Sequence, residues 1–384
     1  MKQKLFCLFI SVLFVITIFS GCLGENKNSS EKQYASYVNS DGTADYLDIQ
    51  SAINNANPGD EIYVQNGKYY EHIFINKTIT LIGQNRNKTI IEGNGFGDVV
   101  NIYADNVIVD GFTIQNSGVY KSGIMVYSNY NQISNNMLSK NDNGIELHYS
   151  NDNNVSNNII EDNNFFGISF GSSNSNNNTI YFNTIKNNKD GINLCESKNN
   201  AIFSNIVNNN GGGIYVYYYS EDNTISDNNV CNNTYGISSD SYAVNNLFYD
   251  NIVDNNTYGI YLSETNNNTI YSNTVINNKD GIQLWENNNN NAIYQNTLIN
   301  NKCGINSWEN NSKNNTIYYN NFMNNTLNSH DLGENIWYNT AQKKGNYWDD
   351  YNGTDANDDS IGDAPYNITG GNNKDKYPLI NPYN

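Results

Sequence analysis

Residues 258–285 read YGIYLSETNNNTIYSNTVINNKDGIQLW and hold one whole period of the chain, from Gly259-Ile260 to Gly281-Ile282. The same Gly-Ile pair begins at Gly123, Gly144, Gly167, Gly191, Gly213, Gly236 and Gly304, at intervals of 21 to 24 residues. A fixed period of this size marks a solenoid, whose repeats stack because none can bury its apolar face alone. Two more apolar columns keep step. One runs Ile133, Val155, Ile180, Ile202, Ile225, Leu247, Ile270, Ile293, Ile317. The other, five residues on, holds Leu138, Ile160, Ile185, Val207, Val230, Val253 (six on), Val275, Leu298, Phe322. Each patch is short and mostly β-branched, with Asn, Gly or Asp between, as brief strands and turns require. No helical i, i+3, i+4, i+7 stripe crosses a period.

Three short strands per coil of about 23 residues predict an all-β chain wound as a parallel β-helix over residues 41–330. Coils about 4.8 Å apart then stack identical positions into ladders. Each inward isoleucine contributes roughly 1.5–3 kcal/mol by burial, enough to build a core although only 38% of residues are hydrophobic. Three residues after the second column come Asn136, Asn158, Asn183, Asn205, Asn228, Asn273, Asn296 and Asn320, with Asn251 one place late. A buried turn needs its amides satisfied. This column therefore reads as an asparagine ladder at a left-handed turn rather than a ligand track.

The ends read differently. Lys2, Lys4, the apolar stretch Leu5 to Phe19 and Phe19-Ser20-Gly21-Cys22 look like a lipoprotein signal over residues 1–22, with cleavage before a lipidated Cys22. Residues 23–40 read as a flexible tether. Ile49, Ala52, Ile53 and Ala56 mark a short amphipathic helix stopped by Asn57-Pro58-Gly59. Laid over the first coil, it would cover an open sheet edge. Strand-like runs follow at 61–64, 73–75, 78–82 and 89–91. After residue 330 the period stops, and residues 331–384 are expected to cap the last coil with Trp337, Tyr347, Trp348 and Tyr351. The charge of −18 and the single arginine, Arg86, argue against nucleic acid. Cys195, Cys231 and Cys303 form neither a disulfide framework nor a CxxC pattern.

The stretch DIQSAINNANPGDEIYVQNGKYYEHIFINKTITLIGQNRNKTIIEGNG (48–95), followed by DNVIVDGFTIQNSG, resembles the start of pectin-lyase-like right-handed β-helix proteins. The repeats are similar to those of the NosD-like branch. The tail GNYWDDYNGTDANDDSIGDAPYNITGGNNKDKYPLINPY is similar to the C-terminal segment of NosD-like proteins of archaeal cell surfaces. The resemblance implies a right-handed, single-stranded helix with a short N-terminal capping helix and an irregular C-terminal cap. The lipoprotein-like signal implies export, with the chain on the outer face of the cytoplasmic membrane and attached only through its lipid.

The fold hosts lyases, hydrolases, esterases and non-enzymes, so chemistry has to be sought in residues. A pectate-lyase-like elimination would need an arginine base, and Arg86 lies in the polar link 84–88. The paired aspartates, Gly-His-Gly and Arg-x-Lys of a polygalacturonase-like site are absent from the sequence. Copper, which the NosD resemblance implies, favours Cys, His and Met ligands. His72, His148 and His330 are scattered, and Met125 with His148 is the nearest to a pair, so copper is not expected.

Four residues after the glycines come Tyr127, His148, Gly171, Cys195, Tyr217, Asp240, Ser263, Trp285 and Trp308. Trp285 and Trp308 are expected to stack outside the solenoid, beside Glu264, Glu286 and Glu309 and near Tyr261. Aromatic faces pack on sugar rings, and carboxylates accept hydroxyl hydrogen bonds. Asp355-x-Asn357-x-Asp359-Ser360-Ile361-Gly362-Asp363 spaces oxygen ligands like a calcium loop, with the Ile361 carbonyl as one ligand and without the closing glutamate. The expectation is a surface protein that binds glycans or surface-layer components without turnover. The alternatives are a polysaccharide lyase or hydrolase using Glu264, Glu286 and Glu309, and a copper-site accessory protein.

Overall fold

A computed structural model describes residues 34–172 and 174–384. The proposed signal and Cys22 lie outside them. The chain winds as a parallel β-helix in which each full coil contributes a strand to each of three sheets. Sheet III carries the Gly-Ile strands, sheet I the second apolar column and sheet II the third; they hold 12, 14 and 13 strands respectively. Neighbouring strands of each sheet pair in parallel and in register, as Ile260 with Ile282, Ile270 with Ile293 and Val275 with Leu298. The inward columns are buried completely or nearly so.

One column differs from its sequence reading. Phe248, not Leu247, pairs with Ile225 and Ile270 and faces inward, while Leu247 is 38% exposed. Counted from Phe248, Asn251 is three residues on and Val253 five on, so the apparent irregularity of that coil disappears.

The asparagine ladder is present, and it is one of three. At the sheet I–II corner Asn228 donates from its backbone N–H and its amide to Asn251 Oδ1 at 3.0 and 3.1 Å, and from its amide to the Ile202 carbonyl at 2.9 Å. The pattern runs from Asn136 to Asn346. A second ladder occupies the III–I corner, from Asn131 to Asn335. A third occupies the II–III corner, from Asn141 to Asn325. Short polar side chains thus satisfy backbone groups that the bends withdraw from the sheets. The residue before each amide turns through the left-handed region, as at Asp227 and Asp250, except before the terminal Asn335 and Asn346.

Both ends are closed. The helix α1, Ile49–Asn55, is capped by Asp48, whose carboxylate accepts from Ser51 N–H at 2.7 Å, and it buries Ile49, Ala52 and Ile53. Ordered structure starts inside the segment expected to be a tether: Ser36–Val38 already pairs with Glu61–Val64. Gly67–Tyr69 is a further strand that the apolar runs did not signal. The solenoid also outlasts its sequence period. Glu334–Ile336 continues sheet I and Tyr347–Trp348 continues sheet II. Trp348 stacks between Phe322 and Tyr366 at 4.2 and 4.1 Å, with Trp337 buried beside it. Asp375 terminates the I–II ladder by accepting from Asn346 N–H at 2.7 Å and from the Trp348 indole at 3.0 Å. Burial lifts its carboxyl to about 6 against these bonds.

Candidate functional site

The outer face of sheet III is built by a bend at each glycine. A Cβ at Gly259 would collide with the Gly281 carbonyl oxygen and stand 2.9 Å from Val275 Cγ1. The bend turns the residue two before each isoleucine outward, alongside those one and three after it. Three outer columns result. The first includes Asp190, Gly212, Tyr235, Tyr258, Asp280 and Cys303. The second includes Asn193, Tyr215, Ser238, Tyr261, Gln283, Asn306 and His330. The third includes Cys195, Tyr217, Asp240 and Ser263.

Tyrosines gather in the middle of this face. Tyr235 meets Tyr261 edge-on at 5.2 Å and Tyr215 at 6.0 Å, while Tyr258 meets Tyr261 at 5.8 Å. A side chain at Gly212 would overlap the Tyr215 ring, so the glycine makes room for it. Burial is the main reason the Tyr215 and Tyr217 hydroxyls titrate far above an ordinary phenol and Tyr261 is pushed up to about 12. Asp190 adds to the rise at Tyr215, and Asp240 and Glu286 at Tyr261. Burial also raises the Asp190 carboxyl, opposed by a 2.9 Å hydrogen bond from Gly212 N–H. At neutral pH these phenols are therefore protonated donors that can also accept. Beside them, at the II–III corner, a groove of about 770 Å³ is lined by Asn232, Asn255, Thr234, Thr257 and Lys279 among other residues. Lys279 Nζ lies over the Tyr258 ring, 5.4 Å from its centroid.

The expected site residues are distributed along this face. Tyr261 belongs to the tyrosine cluster, and Trp285 and Trp308 project outward at 37% and 51% exposure. Among the described residues no ring contact joins the two tryptophans. Pairing of their strands ends at Leu284 and Ser307, just before them, and Trp308 packs instead on His330 at 4.4 Å. Glu264, Glu286 and Glu309 follow the strand ends at the III–I corner, where Glu264 N–H donates to the Glu286 carbonyl at 2.6 Å. The sequence reading passed over Tyr215, Tyr235, Tyr258 and Asp190. Their signal was legible as tyrosine and aspartate one after or two before the repeating isoleucine.

Other candidates lie elsewhere. Arg86 reaches the Asn157 carbonyl at 3.4 Å at the I–II corner, away from sheet III. In the 355–363 loop the carboxylates turn onto their own backbone: Asp355 accepts from Asp359 and Ser360 N–H, Asp359 from Ile361 N–H, and Asp363 from Ala356 N–H. A cation held with the Asn357 amide and the Ile361 carbonyl would have to compete with these bonds. Among the described residues no group of three or more His, Cys, Asp or Glu side chains is placed to hold a metal. No helix among them is long and apolar enough to cross a membrane.

The solenoid is similar in fold to solved polysaccharide-active β-helices. The mannuronan C-5 epimerase AlgE6 A-module of Azotobacter vinelandii aligns with a TM-score of 0.64 at 15% identity, over 76% of this chain and 91% of that one. The alginate lyase AlyF-OU02 aligns at 0.60 and 14% identity, over 75% and 80%. The PL6 lyase Pedsa3628 of Pseudopedobacter saltans aligns at 0.51 and 17% identity, over 76% and 89%. No curated protein sequence matches. The family model described as periplasmic copper-binding protein (NosD) matches residues 53–241 and 216–353, and the chain belongs to that family.

Proposed function

We propose that this NosD-family protein is a lipid-anchored surface β-helix that binds glycans along the outer face of sheet III without turning them over. The observation that carries the reading is the cluster of Tyr215, Tyr217, Tyr235, Tyr258 and Tyr261, bordered by Asp190, Asp240 and a polar groove. Tilted aromatic rings offer faces to sugar C–H groups, and protonated phenols and amides match sugar hydroxyls. Tyr261, Trp285, Trp308 and the Glu264, Glu286 and Glu309 edge extend the same surface. The periplasmic description of the family supports export, and the lipobox-like Cys22 supports the anchor. A glycan array on the mature chain tests binding, with Tyr235→Ala/Tyr261→Ala expected to abolish the signal. Cys22→Ser should release the protein from membranes; retention there would remove the anchor.

Turnover is the second reading, favoured by Asp190, a carboxyl raised by burial on the same face as the tyrosines. New reducing ends or unsaturated products that disappear in Asp190→Asn would establish it. For copper, the family's named metal, the donor set does not fit. The three histidines stand on separate coils, and Cys195, Cys231 and Cys303 are buried.

A further inference from the structure

The outer face of sheet III does not end as it runs in the middle. Beyond the tyrosines it narrows into a pocket of about 210 Å³, lined by Asp280, Cys303, Asn306, Trp308, His330 and the two lysines Lys279 and Lys302. His330, its last lining residue along the chain, adjoins the C-terminal cap. The His330 strand continues only as a bridge to Thr369, and Gly370 stands so close to the imidazole that a Cβ there would lie 2.8 Å from Nε2. The tail segment around Thr369 and Gly370 therefore packs against the His330 strand and its imidazole.

The polar atoms of this pocket are unusual for this protein. Most buried asparagine amides are used in a ladder, yet Asn306, 2% exposed, donates to Asp280 at 2.9 Å while its Oδ1 has no partner. His330 Nδ1 and, one coil back, Gln283 Oε1 are likewise buried without partners. Such groups cost free energy unless something bonds to them. Trp308 supplies a half-exposed ring at the rim. Among the described residues, neither Lys279 nor Lys302 is within ion-pair distance of a carboxylate, so the pocket lining carries two lysines against one aspartate in a chain of net charge −18. The Cys303 thiol is pushed up to about 12 by burial and by Asp280, and it adds no charge.

We infer that this pocket takes the terminal residue of an acidic glycan, its carboxylate toward Lys279 and Lys302, its ring on Trp308 and its hydroxyls on Asn306 and His330. The volume lies below the ~300–1,000 Å³ of sites for drug-sized ligands and suits one sugar ring. Lys279 lines both the pocket and the Asn-lined groove, so the following residues of the chain run back along the solenoid axis. The inference rests on the glycan-binding reading and adds to it a chain end and a charge.

Titration calorimetry on the mature chain tests it, with oligogalacturonates and oligomannuronates of increasing length and neutral oligosaccharides of matched length. Acidic oligomers should bind one chain per protein with affinity that stops rising after the first few residues. Lys279→Gln/Lys302→Gln, two surface changes, should weaken binding roughly tenfold or more, as loss of charge-assisted bonds does. Trp308→Ala should weaken it as well. Affinity that climbs steadily with length and ignores both variants would overturn the pocket and leave glycan binding along the face intact. Preference for neutral oligomers would do the same. Binding of no glycan at all would sink both readings together.

Discussion

Two groups of tyrosines occupy the outside of this solenoid, and they are spent differently. On sheet I, Tyr249, Tyr271, Tyr294 and Tyr318 are direct partners on successive strands and stack at 5.0, 5.3 and 5.1 Å with planes within 15°. Each inner ring of that column has both faces covered by its neighbours, so edges meet the solvent. On sheet III the rings come from two columns: Tyr235 and Tyr258 stack at 5.0 Å and 27°, and Tyr261 crosses them at 75° and 54°. The crossing ring of Tyr261 keeps this group from forming one continuous stack, and the Tyr215 and Tyr261 hydroxyls feel Asp190 and Asp240. The same residue type is therefore a strand-edge cement on one sheet and a candidate ligand surface on another. Register, not composition, makes the difference.

Both faces rest on one core, and breaking that core gives the largest effect. Ile260→Asp beneath the sheet III cluster and Ile270→Asp beneath the sheet I ladder should each cost about 4 kcal/mol or more, because an unpaired charge enters a packed stack. A thermal melt unchanged by either would remove the inward register from that sheet. A corner substitution comes next. Asn251→Ala deletes the acceptor of Asn228 and the amide that donates to Ile225 O, and should cost roughly 1–3 kcal/mol per group left unsatisfied. A change within experimental error would mean that water replaces the amide and that the ladder is dispensable.

Much of this was readable in the sequence because a period repeats its own signal. Gly-Ile pairs, β-branched columns and one asparagine column fix three sheets and a stacking order. The other two ladders were equally periodic, two residues before the second column and three after the third, but dense asparagine hides a column unless the frame is already known. Phe248 shows the converse: a bulky inward aromatic beside an outward leucine breaks an aliphatic pattern without breaking the fold. The outer face was harder. Period gives positions, but the bend at each glycine decides that both Tyr235 and Tyr261 face outward, and alternation alone would have turned Tyr235 inward. The cap escaped the period because its chain segments join the sheets out of step.

Paired substitutions separate the two tyrosine groups. Tyr271→Ala/Tyr294→Ala should lower stability, with a coupling of about 0.5–1.5 kcal/mol in a double-mutant cycle, as stacked rings give, and should leave glycan binding unchanged. Tyr235→Ala/Tyr261→Ala should remove binding while lowering stability no more than the sheet I pair does. A glycan that binds the second variant as well as the wild type would reduce the cluster to strand filler.

The smallest effect is spectroscopic. Tyr261 titrates at about 12, raised first by burial and then by the charges around it. A phenol whose folded pKa lies above its unfolded value near 10 contributes its stabilisation fully below that unfolded value. The contribution is lost as pH rises through about 12. Because Tyr261 is only partly buried, solvent screens the effect on stability, so the tyrosinate absorbance is the better readout. Tyr261→Phe should remove one phenol from the late-titrating class and leave the amplitude near pH 10 unchanged. If the lost amplitude lies near pH 10 instead, Tyr261 meets bulk water and the cluster is open, and the contrast with sheet I narrows to stacking geometry alone.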